Sequence, residues 1–268
     1  MTGRLAILAG NGVLPVEIAT AHPEAVKVVF DGVPHQLSGD LQPHAFEKLG
    51  GLFEDLRGLG VTRVVMAGSM TRPPLDAPAF DPLMISLAPR LLSAMQGGDD
   101  ALFGLIIEII EEQGFEVLGA HDLVAGLTAK EGLLAGPVPT ADLLADADRG
   151  ADILNALAPV DIGQGCVVAG GLCLGVETIQ GTDFMLRMVA ETPDALRRGA
   201  SGVFIKASKR GQDLRVDMPA IGPDTVVQVQ KAGLAGIVVE AGHVMILERD
   251  KTLQEIEKAG LFLMGRVL

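Results

Sequence analysis

Strand-like apolar runs open this chain: RLAILAG at 4–10, continuous from Leu5 to its closing Gly, then AVKVVF at 25–30 and RVVMAGS at 63–69. Runs of this kind fit strands buried on both faces of a sheet. Between the first two, VLPVEIATAH reads as a helix. Phe46, Leu49, Leu52, Phe53, Leu56 and Leu59 then recur at steps of three and four, which gives a helix with one core stripe. Helical patterns near 81–95 and 99–113 precede a further strand at FEVLGA. Strands alternating with helices predict a Rossmann-like α/β domain, its parallel sheet covered on both faces.

From about residue 128 the pattern changes. LTAKEGLLAGPVPT is rich in Gly and Pro and reads as a connector, and ADLLADADRGADILNALAPV (141–160) as a bridging helix. Short strands follow at CVVAGG, CLGVETI, GVFIKA, GIVVEAG and HVMILE, with helices at DFMLRMVAE and from Pro223. The expected organisation is a nucleotide-binding-type domain over 1–135 and a linker helix over 136–158. A smaller catalytic α/β domain with a mixed sheet completes it over 159–268.

Composition narrows the function. The 268 residues are 49% hydrophobic and 21% charged, as in ordinary folded proteins. A net charge of −13 argues against nucleic acid as a partner, because that affinity rests on basic neutralisation of phosphates. Aromatics are only 3%, with no Trp or Tyr, so base-stacking platforms are not expected. Cys166 and Cys173 fit no zinc spacing and read as reduced apolar residues. The opening residues form no secretory signal, and the most apolar run, ALFGLIIEII, is broken by Glu108. A cytoplasmic protein is expected.

Three stretches could carry chemistry. AGNGVLP follows the first strand, where Gly10 and Gly12 permit close approach of a ligand and the next helix offers N–H groups to an anion. Pro15 stands where a dinucleotide fingerprint has its third Gly, while Asp31 after the second strand suits a ribose hydroxyl. A plain glycine turn explains the same residues. AGSMTRPP, with Ser69 and Arg72, lies at the ligand-binding end of the third strand, where Arg72 could clamp a phosphate or be merely solvated. Asp99 and Asp100 in GGDDALF could cap a helix, hold Mg²⁺ beside a phosphate, or bind ligand hydroxyls. His121-Asp122, after the strand at 115–118, leaves similar alternatives open.

The third stretch is KASKRGQDLRVDMPAIGPDT, residues 206–225. Lys206, Lys209, Arg210 and Arg215 face only Asp213 and Asp217 in an otherwise acidic chain. Such a cluster fits a ligand with several phosphate oxygens, and equally a solvated basic loop. Pro223 suits the first position of a helix and Asp224 its first turn, where a carboxylate could orient water, ligate a metal or complement the helix dipole.

Taken in order, LAGNGVLP, GSMTRP, GDDALF, DIGQG, VETIQGTDFML, KASKRGQDLRVDMPAIGPDT and VEAG resemble the UDP-2,3-diacylglucosamine pyrophosphatase family of the LpxI type. The likeness spans essentially the whole chain. It implies a two-domain cytoplasmic enzyme of Gram-negative lipid A synthesis, with substrate held between the domains and peripheral contact with the inner membrane allowed. The implied reaction splits UDP-2,3-diacylglucosamine into 2,3-diacylglucosamine 1-phosphate (lipid X) and UMP, assisted by Mg²⁺ or Mn²⁺. Asp224 matches the family's aspartate after Gly-Pro and is the expected catalytic carboxylate. Gly10, Asn11, Gly12, Ser69 and Arg72 would take one polar end of the substrate, and Lys206, Lys209 and Arg215 its pyrophosphate. Asp99, Asp100, Gln164, Thr182, Asp183, Gln212, Asp213 and Thr225 complete the implied binding set. The metal ligands stay unassigned, and a homodimer is allowed. Gly165 and Cys166 depart from the family pattern, a difference that touches packing. The alternatives are an NAD(P)-dependent nucleotide-sugar oxidoreductase, favoured by the Gly-x-Gly turn and Asp31, and a non-catalytic nucleotide- or lipid-binding protein.

Overall fold

The computed structural model describes residues 3–70, 75–96 and 99–268. The chain forms two compact units, one of residues 1–125 with 213–217, the other of 126–212 with 218–268.

The first unit runs β1 (Arg4–Ala9), α1 (Leu14–Ala21), β2 (Val26–Phe30), β3 (Leu41–His44), α2 (Leu49–Gly58), β4 (Val61–Ala67), α3 (Pro82–Gln96), α4 (Asp99–Glu112), β5 (Glu116–Leu118) and α5 (Ala120–Leu123). All strand pairs are parallel, in the order β3-β2-β1-β4-β5. That is the Rossmann arrangement, and the expected parallel sheet is present. The predicted core stripe of α2 is buried at Leu52, Phe53 and Leu56 against Val28, Val64 and Phe115. β3 was not legible, because Pro43 interrupts a polar run. Proline is tolerated there because β3 is an edge strand.

The second unit contains β6 (Gly132–Ala135), α6 (Ala141–Leu157), β7 (Gly165–Ala169), β8 (Leu172–Val176), α7 (Thr182–Ala190), α8 (Asp194–Arg197) and β9 (Val203–Lys206). β10 (Ala220–Ile221), α9 (Pro223–Lys231), β11 (Gly236–Glu240), β12 (Met245–Ile246), α10 (Arg249–Lys258) and β13 (Phe262–Arg266) follow. Its main sheet has the order β6-β13-β11-β9-β7-β8 and is mixed, as expected: β9, β11 and β13 run parallel, while β6, β7 and β8 pair antiparallel.

Strand alternation feeds two cores. Cys166, Val168, Val203 and Ile205 meet Ala147 and Leu154 of α6 on one face. Val167, Phe204, Ile237 and Val239 meet Leu186, Val229 and Ile256 of α7, α9 and α10 on the other. Gly150 brings α6 close to the sheet, since a Cβ there would lie 2.4 Å from Ile205 Cδ1. The division between units falls at 125/126, where the sequence placed it at 135. The expected connector contributes β6, and the expected linker helix is α6, built into the second unit's core. Among the described residues, no helix is long and apolar enough to cross a membrane.

Candidate functional site

In the first unit, the chain leaves β1 toward β2 on one side and later returns as β4 on the other. The crevice beyond the carboxyl ends of β1 and β4 is therefore a topological switch point, the usual ligand position in open α/β sheets. Gly10, Asn11, Gly12 and Ser69 meet here. Asn11 N–H donates to Ser69 O (2.7 Å) and Ser69 N–H returns a bond to Asn11 O (2.8 Å), zipping the two loops together. Gly10 and Gly68 make the approach feasible. A Cβ at Gly10 would lie 2.5 Å from Ser69 O, and one at Gly68 would lie 2.6 Å from Asn11 O. Gly12, at φ +106°, faces open space.

The donors of this turn are partly committed. Gly12 N–H donates to Asn11 Oδ1 (2.9 Å), Pro15 supplies no N–H, and Glu17 places a carboxylate in the first turn of α1. Those features suit neutral nucleoside groups at this position better than a bare pyrophosphate. Asp31 is exposed just past β2. Arg72 lies outside the described residues. Asp99 and Asp100 open α4 as the sequence predicts, but their side chains also lie outside the described set.

The cationic stretch is divided. Residues 206–212 belong to the second unit and 213–217 to the first. Lys206, at the end of β9, is 5% exposed. Its Nζ donates to Thr182 Oγ1 (2.6 Å) and to Glu177 Oε2 (3.1 Å), and Thr182 Oγ1 donates to Glu177 Oε1 (2.8 Å). Gly165 leaves room for this cluster, since a Cβ there would lie 2.7 Å from Glu177 Oε2. The departure noted in the sequence at Gly165 thus has a packing reason. Lys209 forms an ion pair with Asp161, and Arg210 Nε donates to Asn155 Oδ1 (3.0 Å). Gln212 Oε1 accepts from Gln164 Nε2 (3.0 Å) and from Lys209 N–H (3.1 Å). Ser208 donates to Glu240 Oε2 through both N–H (2.9 Å) and Oγ (2.7 Å).

In the first unit, Arg215 grips Asp213 through Nη2 (2.7 Å) and Nε (3.0 Å), and its Nη1 reaches Glu111 (2.8 Å). Val216 packs against the apolar core beside them. The hydrogen bonds from Arg215 hold the Asp213 carboxyl below the usual carboxylate range, and Asp213 in turn raises Arg215. Lys206, Lys209 and Arg215 are thus each matched by a carboxylate, while Arg210 is held by an amide oxygen.

Asp224 is exposed in the first turn of α9, with Pro223 at the first helical position, as the sequence indicates. Thr225 Oγ1 accepts from Gly222 N–H (3.3 Å) and closes the turn. A cation that senses Asp224 is Lys251 of α10, whose ammonium is raised first by its hydrogen bond to Glu248 and further by Asp224. Asp183 is exposed in the first turn of α7, next to exposed Phe184. Among the described residues, no three His, Cys, Asp or Glu side chains group as a metal site.

The partners Glu177, Asp161, Asn155, Glu240 and Glu111 were not singled out by sequence. Glu111 lies 104 residues from Arg215 and Asp161 lies 48 from Lys209, separations that leave no local spacing signal. Glu177, Asp161 and Glu240 sat inside quoted motifs, but without a role assigned to them.

Comparison with known proteins covers both units. Residues 4–127 match the LpxI N-terminal domain, and residues 130–264 match the LpxI C-terminal domain. The UDP-2,3-diacylglucosamine pyrophosphatase LpxI of Caulobacter vibrioides is 38% identical over 272 residues, covering 98% of this chain and 97% of the relative.

Proposed function

The chain belongs to the LpxI family, and from that premise we propose that it hydrolyses the pyrophosphate of UDP-2,3-diacylglucosamine in lipid A synthesis. The observation that carries this reading is the end-to-end likeness to a pyrophosphatase of that name, which includes both domains. In the proposed reaction, water adds to one phosphorus and the bridging P–O bond breaks. A proton is released, and the products are UMP and 2,3-diacylglucosamine 1-phosphate (lipid X).

Asp224 is the proposed catalytic carboxylate. Its exposed place on a helix turn fixed by Pro223 and Thr225 suits orienting water at a phosphorus. Gly10, Asn11, Gly12, Ser69 and Arg72 are assigned to the nucleotide end. Gln164, Lys209, Gln212, Asp213 and Arg215, with Thr182 and Lys206, are assigned to the pyrophosphate and sugar, as Asp99, Asp100, Asp183 and Thr225 are to the remaining polar contacts. Because Lys206 and Lys209 are already paired, their work is to shape a rigid polar surface more than to supply uncompensated charge.

Mg²⁺ or Mn²⁺ is proposed to arrive on the substrate's phosphates, its ligands in the chain staying unassigned. Such an ion, when bound, neutralises phosphate charge. The exposed apolar face of α7, Phe184 and Met188, is proposed to meet acyl chains, with the protein working in the cytoplasm at the inner-membrane surface.

The strand order β3-β2-β1-β4-β5 with Gly10, Gly12 and Asp31 favours one second reading, an NAD(P)-dependent oxidoreductase. Product analysis separates the readings. Purified protein with UDP-2,3-diacylglucosamine and Mg²⁺ should yield UMP and lipid X in equal amounts. Tight binding without turnover would mark a carrier, and turnover that needs NAD(P) would mark the oxidoreductase.

A further inference from the structure

His121 lies directly after β5, on the same edge of the first unit's sheet as the Gly10–Gly12 and Gly68–Ser69 loops. Leu118 aligns with Val65 of β4, which aligns with Ile7 of β1. His121 follows Leu118 by three residues, as Gly68 follows Val65 and Gly10 follows Ile7. It lies at the start of α5, at the carboxyl edge of the sheet, the edge on which both glycine loops lie.

The turn is fitted around the imidazole. A Cβ at Gly119 would lie 2.3 Å from His121 Cε1 and 2.6 Å from Nδ1, so the ring rests where only a glycine leaves space. Asp122 Oδ2 accepts from Gly119 N–H (3.1 Å), and its Oδ1 stands 3.6 Å from His121 Nε2. A neutral imidazole that carries its proton on Nε2, the nitrogen facing the carboxylate, presents Nδ1 as an acceptor. Nδ1 is buried and has no hydrogen-bond partner. Buried polar atoms without partners are rare and costly, and a ligand is one of the few things that satisfies them.

We propose that His121 is a nucleoside-binding residue of the switch-point crevice, its Nδ1 accepting from a neutral donor of the bound nucleoside, either a ribose hydroxyl or the base imide N–H. The proposal rests on the nucleotide-sugar reading above and adds a specificity residue to it. It also fits the adjoining loop, where Pro15 supplies no N–H and Gly12 N–H is taken by Asn11 Oδ1.

The test is calorimetric binding of UMP, 2′-deoxy-UMP, N3-methyl-UMP and inorganic phosphate. His121→Phe, which keeps the ring but not the nitrogen, should weaken UMP at least about tenfold at an unchanged melting temperature. His121→Asn, with an amide at the place of Nδ1, should recover part of that loss. Loss of affinity for the deoxy form identifies the ribose hydroxyl as donor, and loss for the methylated form identifies the imide. In the wild-type protein the ¹⁵N resonance of His121 Nδ1 should move on UMP addition, a readout that needs no variant. Equal UMP affinity in His121→Phe, or a static Nδ1 resonance at saturating UMP, overturns the assignment alone. A wild-type protein that does not bind UMP at all overturns the nucleotide reading and this inference with it.

Discussion

Lys206 Nζ lies 3.1 Å from Glu177 Oε2 with both side chains nearly shut off from solvent, at 7% and 13% exposure. Two charges removed from water hold together only while each has the other, and removing one strands its partner. Glu177→Ala and Lys206→Ala should each cost about 3–5 kcal/mol, a fall in melting temperature on the order of 10 °C. Replacing both with apolar residues of similar volume should recover most of the loss. Thermal melts of the two single variants and the double variant check this. Unchanged melting in either single variant would show that the pair is not a fixed part of the fold.

Asp213 and Arg215 form a more open pair, with each side chain 37% exposed. The Asp213 carboxyl is depressed by Arg215, so it stabilises the fold above its ordinary value of 3.8 and loses that contribution as pH falls through the lowered value. Solvent screening keeps the effect to at most about 1 kcal/mol. Asp213→Asn should therefore be slightly less stable than wild type at neutral pH, and the two should converge well below pH 3.8. Urea melts at pH 7 and pH 2.5 read the difference, and a gap that widens in acid contradicts the pairing.

The two cysteines should behave differently. Cys166 is fully buried, its thiol donates to Gly150 O (3.5 Å), and burial pushes its pKa up, whereas Cys173 is exposed. Thiolate, the reactive form, is scarce at Cys166. Native protein should titrate one thiol with an aromatic disulfide reagent and two after unfolding. Two fast thiols in the native state would contradict the burial of β7.

Much of the fold was legible because its strands and helices carry their burial in their own sequence. Beyond their opening Arg4 and Arg63, RLAILAG and the RVVMA of RVVMAGS are apolar because both faces of the central strands are largely covered. β3, LQPH, and β6, GLLA, are edge strands that need no such run; GLLA read as part of a connector and LQPH gave no strand signal. The α6 helix shows the limit differently. Its periodicity was clear, but nothing local says whether its apolar face meets a partner domain or its own sheet.

Among the candidate residues, the backbone settings of Gly10, Gly12 and Asp224 were legible, a glycine turn and a proline-started helix. The pairing of Lys206, Lys209 and Arg215 was not. Their charges read as available from the local run, while Glu177, Asp161 and Glu111 reach them only through the fold.

Metal dependence is a proposal that rests on the charge of the pyrophosphate, which a divalent ion would neutralise. If the ion arrives on the substrate, excess EDTA should reduce turnover to near background, and added Mg²⁺ or Mn²⁺ should restore it at once. The apo protein should melt at the same temperature with and without EDTA. A large melting shift would point to a structural ion instead.

The most direct measurement is release of UMP from UDP-2,3-diacylglucosamine by wild type and Asp224→Ala side by side, with melting temperature and substrate affinity taken on the same samples. Asp224 sits exposed on a rigid first turn, where loss of a helix-dipole contact alone would cost about 1 kcal/mol of stability at most and leave the rate intact. Loss of a group that positions the attacking water should instead slow turnover at least about a hundredfold while binding and melting hold. The account predicts the second pattern. Near-normal UMP release by Asp224→Ala, or no release by wild type, would contradict it.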